Sequence, residues 1–164
     1  MPILADLADF AAALPREGAL FGLDLGTRTL GIAVSDVTRT IATPFALIVR
    51  KALARDLAAL AELADKREAV GFVLGLPLEM SGAEGERAEA SRRFAAQVLT
   101  VRDLPVLLWD ERLSTAAVER ILIGEADLSR ARRKQVVDRS AAAFILQGAL
   151  DRLHRLADPG SGRP

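Results

Sequence analysis

The chain has 164 residues, 51% of them hydrophobic, enough for one domain to bury a full core without covalent staples. Its 22 basic residues balance 22 acidic ones, so no global positive field marks a nucleic-acid binder and any such footprint must be local. The absence of cysteine excludes disulfides, thiolate zinc sites and cysteine nucleophiles, and a lone histidine, His154, reads as a solvated residue near a helix end rather than a ligand.

No apolar run approaches the roughly 18 residues of a membrane span, and the N-terminus lacks the basic start of a secretory signal. These features predict a soluble, cytoplasmic protein. Ile3, Leu4, Leu7, Phe10, Ala11 and Leu14 recur at helical spacing before Pro15 and predict a short amphipathic helix, read as a packing appendage. The run from Ala19 to Gly26 predicts a strand with Phe21, Leu23 and Leu25 on one face and Gly22, Asp24 and Gly26 on the other. Leu30 to Ser35 repeats that division, with Leu30, Ile32 and Val34 opposite Gly31, Ala33 and Ser35, across a plausible hairpin turn at 26–29.

Ile41 to Val49 reads as a third strand in which Pro44 favours an edge or a bulge. Leu53, Leu57, Leu60 and Ala64 mark a helix face; Val70 to Leu76 reads as a strand buried on both faces, followed by a loop from Pro77 to Gly85. A helix follows, traced by Ala88, Ser91, Ala95, Val98 and Leu99, then a strand from Leu104 to Trp109 and helices at Thr115 to Ile123 and Gln135 to Leu156. The order βββαβαβαα predicts an α/β fold: a mixed five-stranded sheet, three strands antiparallel and the rest parallel, with helices on both faces.

Asp24 is costly within an apolar strand unless something nearby needs its charge, and it stands in a clearing made by glycines. Two further acidic positions break apolar patterns. Asp110 and Glu111 end a core strand, at the edge of a parallel sheet where ligands bind. Asp138 shares a helical stripe with Ala141, Ala142 and Ile145, so the packing face of that helix would carry it against the sheet. Converging carboxylates repel unless a cation neutralises them, and Mg²⁺ or Mn²⁺ suits an oxygen-only site, where two ions about 4 Å apart can drive phosphodiester cleavage. Each acid also has a simpler reading: Asp110 or Glu111 could pair with Arg112, Asp138 could cap a helix, and Asp24 could be a hydrogen-bonded turn residue.

The segments Gly22-Leu23-Asp24-Leu25-Gly26-Thr27-Arg28-Thr29-Leu30-Gly31-Ile32-Ala33-Val34-Ser35-Asp36, Gly75-Leu76-Pro77, Asp110-Glu111-Arg112-Leu113-Ser114-Thr115 and Val137-Asp138-Arg139-Ser140-Ala141-Ala142 closely resemble the YqgF-like proteins. These are Holliday-junction resolvase-like nucleases of the ribonuclease H superfamily, implicated in trimming the small-subunit (16S) rRNA precursor. The resemblance spans roughly Leu20 to Leu153 in order. It implies a ribonuclease H-like domain over 19–156, preceded by an N-terminal extension (1–18); the tail (157–164), rich in Gly and Pro from Asp158 on, reads as disordered from its composition. The resemblance also carries over Asp24, Glu111 and Asp138 as catalytic, metal-holding acids, with Asp110 and Gly26 as auxiliary positions. Asp110 would face opposite to Glu111 on a regular strand. Ser81 stands where the family usually has Asp, and the stretch before Gly18 is longer than the family pattern needs.

Arg130, Arg132, Arg133 and Lys134 place four positive charges in five positions beside Asp138, and can neutralise phosphates there or form a solvated loop. Arg28 and Arg112 are further candidates for nucleic-acid contact, each also able to make an internal salt bridge. Ser114 or Thr115 reads as a helix cap, and Gly82 and Gly85 either let backbone approach a phosphate or simply turn the chain. With one tryptophan, no tyrosine and six phenylalanines, no stacking platform for base reading is evident. The expected partners are structured RNA, branched DNA and pre-ribosomal particles. Two other classes fit part of the pattern: a nucleic-acid-binding protein that does not cleave, and an actin-like nucleotide-binding module resembled by Asp24-Leu25-Gly26-Thr27. Length argues against the second, because such modules clasp nucleotide between two domains and this chain has one.

Overall fold

The fold is described by a computed structural model. It describes residues 2–79, 81–113 and 130–158, with side chains for all of these except 113 and 130–140. The predicted helix over 115–123 and the end of the tail lie outside the described residues.

Among the described residues six strands form one sheet: β1 (Ile3–Leu4), β2 (Leu20–Leu25), β3 (Thr29–Ser35), β4 (Ala42–Val49), β5 (Gly71–Leu76) and β6 (Val106–Asp110), in the spatial order β1-β6-β5-β2-β3-β4. β2, β3 and β4 form an antiparallel meander, while β5 lies parallel to β2, and β6 parallel to β5. The helices are α1 (Leu7–Ala13), α2 (Leu53–Lys66), α3 (Glu86–Val101) and α4 (Arg130–Ala157), with a 3₁₀ turn over Glu111–Leu113.

Among the described residues the strands number six rather than the expected five because the start of the N-terminal extension is extended, not helical. Ile3 and Leu4 pair with Val106 and Leu107 along the free edge of β6, and the helix begins only at Leu7, capped by the Asp6 carboxylate on the amide of Asp9. Covering that edge satisfies backbone groups that would otherwise invite another chain. Phe10 is fully buried in the core, which anchors the extension.

The two faces of the sheet differ in bulk. Phe21, Leu23, Leu25, Ile32, Val34, Phe72, Leu74 and Leu108 pack beneath α2 and α3, as the alternation predicts. On the other face Leu20, Ala33, Val73, Leu107 and Trp109 meet the α4 stripe Ala142, Ile145, Leu146, Ala149 and Leu150. Glycine makes this second contact close: a Cβ on Gly22 would lie 2.6 Å from Leu146 Cβ and 2.7 Å from the Ala142 carbonyl oxygen.

Pro44 sits on edge strand β4, the position that tolerates a missing N–H. The register also shifts there: Pro44 pairs with Ala33 and Ala46 with Ile32, so Phe45 is an extra residue opposite the join. The long C-terminal helix begins earlier than expected, at Arg130 rather than Gln135. The basic cluster therefore lies on the first turns of α4 and is not a loop.

Candidate active site

The β2–β5 register pairs Leu23 with Leu74, and one residue further on Asp24 and Gly75 stand at the carboxyl ends of the two strands. On the other side of β5, Gly75 pairs with Trp109, with Asp110 and Glu111 following. The side-chain alternation of β2 places Asp24 with Leu20 and Gly22 on the α4 face. Glu111 leaves β6 onto the same face. Its Cγ lies 2.8 Å from where a Cβ of Gly75 would be, and its Oε1 is closer still, so Glu111 occupies a notch that glycine leaves open. Ile145 of α4 closes the notch, its Cδ1 2.7 Å from the same point. Asp24 and Glu111 are both half-buried. Two of the sequence-nominated acids are thus brought to one end and one face of the sheet.

Asp138 enters through the path of α4. Late in that helix, Gln147 accepts the Ala42 amide at 2.8 Å and donates to the Thr40 carbonyl at 3.0 Å, while His154 bonds the Arg39 carbonyl at 2.8 Å. Those partners lie in the β3–β4 turn and at the start of β4, at the end of the sheet where β2 begins, so α4 runs antiparallel to β2. Position 138 is one helical turn before Ala142, which crosses Gly22. Four helical residues advance about 6 Å and two strand residues about 6.7 Å, so the backbone steps from Ala142 to 138 and from Gly22 to Asp24 are matched in length and direction. Among the described residues no three His, Cys, Asp or Glu side chains form a metal-holding group; the Asp138 side chain lies outside that set.

Asp110 faces the other way. Its carboxylate accepts the Arg112 amide at 3.0 Å, and the Arg112 guanidinium reaches both oxygens, Nε to Oδ1 at 3.0 Å and Nη2 to Oδ2 at 2.6 Å. The guanidinium hydrogen bonds hold the Asp110 carboxyl below the usual carboxylate range, against a smaller opposing effect of burial. Arg112 is raised by the same contact and stays charged.

Arg28 lies exposed in the β2–β3 turn, at the same end of the sheet as Asp24. Sequence reasoning assigned no role to Arg50, whose guanidinium donates to the Gly26 carbonyl and whose amide donates to the Arg28 carbonyl at 2.8 Å. With the Gly26 amide on the Thr29 carbonyl, also at 2.8 Å, these bonds fix the turn that follows Asp24. The one available signal was an arginine immediately after an apolar strand. Gly82, at φ +88°, and Gly85, which precedes α3, serve the loop and the helix start. His154 is exposed on the last turn of α4, far from the acids along the helix.

A mixed sheet with an antiparallel meander, parallel central strands and helices on both faces is the architecture of a ribonuclease H-like fold, here with acids at its central strand ends. A family model described as "RuvX: Holliday junction resolvase" matches residues 18–152, and the chain belongs to that family of nucleases. It is 61% identical over 155 residues to a protein of Rhodospirillum rubrum named "Putative pre-16S rRNA nuclease", covering 94% of this chain and 96% of the relative. A Rhodobacter capsulatus protein of the same name is 56% identical over 154 residues, with 94% and 96% covered. Among solved structures, Thermus thermophilus RuvC in complex with a Holliday junction superposes with a TM-score of 0.52 at 18% identity, covering 83% of this chain and 96% of that one, a likeness of fold.

Proposed function

We propose that this protein is a metal-dependent nuclease that trims the 5′ end of the 16S rRNA precursor in the cytoplasm by hydrolysing phosphodiester bonds in structured RNA. The observation that carries the reading is Glu111 seated in the Gly75 notch, on the face and at the strand end where Asp24 stands. High identity over almost the full length of relatives named for the 16S precursor supports the choice of substrate.

The donor chemistry fits a hard divalent cation. It consists of carboxylate oxygens, with no thiolate in the chain and the one histidine at the far end of α4. Asp24, Glu111 and Asp138 would hold Mg²⁺ or Mn²⁺. Such an ion, when bound, supplies activation of water and stabilisation of the leaving oxygen. The chain's own residues do the rest. Asp24 is fixed by the strand pair β2–β3 and by the Arg50-clamped turn, and Glu111 by its notch, so these two acids are positioned before substrate arrives. Arg28 and the basic first turns of α4, Arg130, Arg132, Arg133 and Lys134, supply positive charge for the phosphate backbone, which positions a strand without reading its sequence.

The test is cleavage of labelled 16S precursor and of a four-way DNA junction, each with Mg²⁺ or Mn²⁺, beside an Asp24→Asn control. The reading expects the precursor to be cut at its 5′ side, and the control to bind without cutting. Cleavage confined to the junction would move the substrate to branched DNA. Binding without cleavage of either would leave a non-cleaving binding protein.

A further inference from the structure

We propose that Asp110 and Arg112 form a clasp that aims Glu111: Asp110 is a positioning residue rather than a further metal ligand, and Arg112 is committed to Asp110 rather than to a substrate phosphate. The inference rests on the reading of Glu111 as a catalytic acid and goes beyond it by giving its two neighbours a joint role.

Glu111 sits where the chain stops being a strand. Asp110 is the last residue of β6, paired with Leu76, and the 3₁₀ turn begins at the next residue. The regular pairing of β5 with β6 therefore ends one residue before Glu111. The clasp ties the chain on either side of that point. Asp110 shares the sheet face of Leu108, away from α4, and there its carboxylate takes both the backbone amide and the guanidinium of Arg112. The residues before and after Glu111 are thereby tied together on one side, which turns Glu111 to the other, into the notch at Gly75. The Arg112 side chain also abuts the loop after β5: its Nη1 lies 3.6 Å from where a Cβ of Gly82 would be. The same fork that closes the turn therefore braces the loop beside the site.

The Asp110 and Arg112 side chains are 29% and 41% exposed, and a pair so open to water contributes little to global stability. A positioning role and a purely structural role therefore separate experimentally. Trp109, the chain's only tryptophan, is adjacent to Asp110, so quenching of its fluorescence by paramagnetic Mn²⁺ offers a readout independent of cleavage.

The measurements are kcat, KM, the Mn²⁺ titration of Trp109 fluorescence and the melting temperature, for Asp110→Ala, Asp110→Asn, Arg112→Ala and Glu111→Gln in the full chain. The inference expects Asp110→Ala to lower kcat and Mn²⁺ affinity by about 10- to 100-fold, the usual cost of removing a group that orients a ligand, with KM and melting temperature near wild type. Asp110→Asn, whose amide oxygen still accepts the Arg112 N–H, should recover most of the loss. Arg112→Ala should lower kcat rather than raise KM. Asp110→Asn as damaged as Asp110→Ala would instead make Asp110 a ligand, and a raised KM with a shallower salt dependence in Arg112→Ala would return Arg112 to substrate; either overturns the clasp. Full activity and Mn²⁺ binding in Asp110→Ala, with Glu111→Gln inactive, would also overturn it and leave the catalytic reading intact. Full activity in Glu111→Gln would overturn the catalytic reading itself.

Discussion

The Glu111 side chain lies over Gly75, its Cγ 2.8 Å from the point a Cβ there would occupy. Gly75→Ala should therefore displace Glu111, whose flexible end can yield, more than it disrupts the fold, although Ile145 Cδ1 is also within 2.7 Å. The expected result is a modest loss of stability, about 1 kcal/mol or a little more as for a small overpacking change, with cleavage reduced far beyond what that loss explains. Denaturant melts and cleavage rates on the same preparation check it; parallel losses would mean that the notch serves packing alone.

Gly22→Ala should behave differently. The added methyl meets the Ala142 carbonyl oxygen and Leu146 Cβ, backbone and near-backbone atoms that cannot swing aside. We expect α4 to lift, at a cost of about 1–3 kcal/mol or more, with stability falling along with activity. Chemical denaturation reads the stability change, and a variant as stable as wild type would contradict the close approach of helix and strand.

The division of β2 and β3 into a bulky face and a small face was legible in the sequence because strand alternation is local: within each strand every second residue, Phe21, Leu23 and Leu25 and then Leu30, Ile32 and Val34, declares its side. So was the opposition of Asp110 and Glu111, which follows from the same period. β1 was not legible. Two residues carry no period of their own, and Ile3 and Leu4 also fit the helical spacing of the residues after them; pairing with β6, a hundred residues away, decides the matter. The seating of Glu111 on Gly75 was hidden for a similar reason, since it depends on the register between parallel strands far apart in the chain. Arg50 was missed because its partner is a backbone carbonyl, which leaves no mark in side-chain pattern.

The β3–β4 turn should contribute to the acid response. The hydroxyl of Thr38 and then the amides of Ile41 and Thr40 bond the Asp36 carboxylate and lower its pKa from 3.8 to about 2. A depressed carboxyl contributes stability that is present above its unfolded pKa and lost as pH falls through the folded one, so this contribution should fade between about pH 4 and 2. Asp36→Asn should flatten the stability curve across that window and leave its shape above pH 5 unchanged. Urea melts from pH 2 to 7 would show it, and an acid limb identical to wild type would contradict the assignment.

Arg130, Arg132, Arg133 and Lys134, on the first turns of α4, are expected to meet phosphates without regard to sequence. Changing all four to Ala should weaken binding to RNA and DNA alike and flatten the dependence of log affinity on log salt by about 0.7 to 0.9 for each phosphate no longer neutralised. Filter binding across a salt series measures the slope. An unchanged slope would remove the cluster from the interface.

The central claim is that Asp24, Glu111 and Asp138 converge to hold a divalent cation, and it can be tested without knowing the substrate. Mutually repelling carboxylates strain a metal-free fold, so in chelator Asp24→Asn should melt at or above the wild-type temperature. With Mn²⁺ the order should reverse: a ligand bound only by the folded state stabilises by RT ln(1 + [L]/Kd), about 2.7 kcal/mol at a hundredfold excess over Kd, and the variant loses most of that gain. Melting curves of both proteins, each with chelator and with Mn²⁺, decide the question. The account predicts crossed melting temperatures; a destabilised Asp24→Asn protein that responds to Mn²⁺ as the wild type does would contradict it.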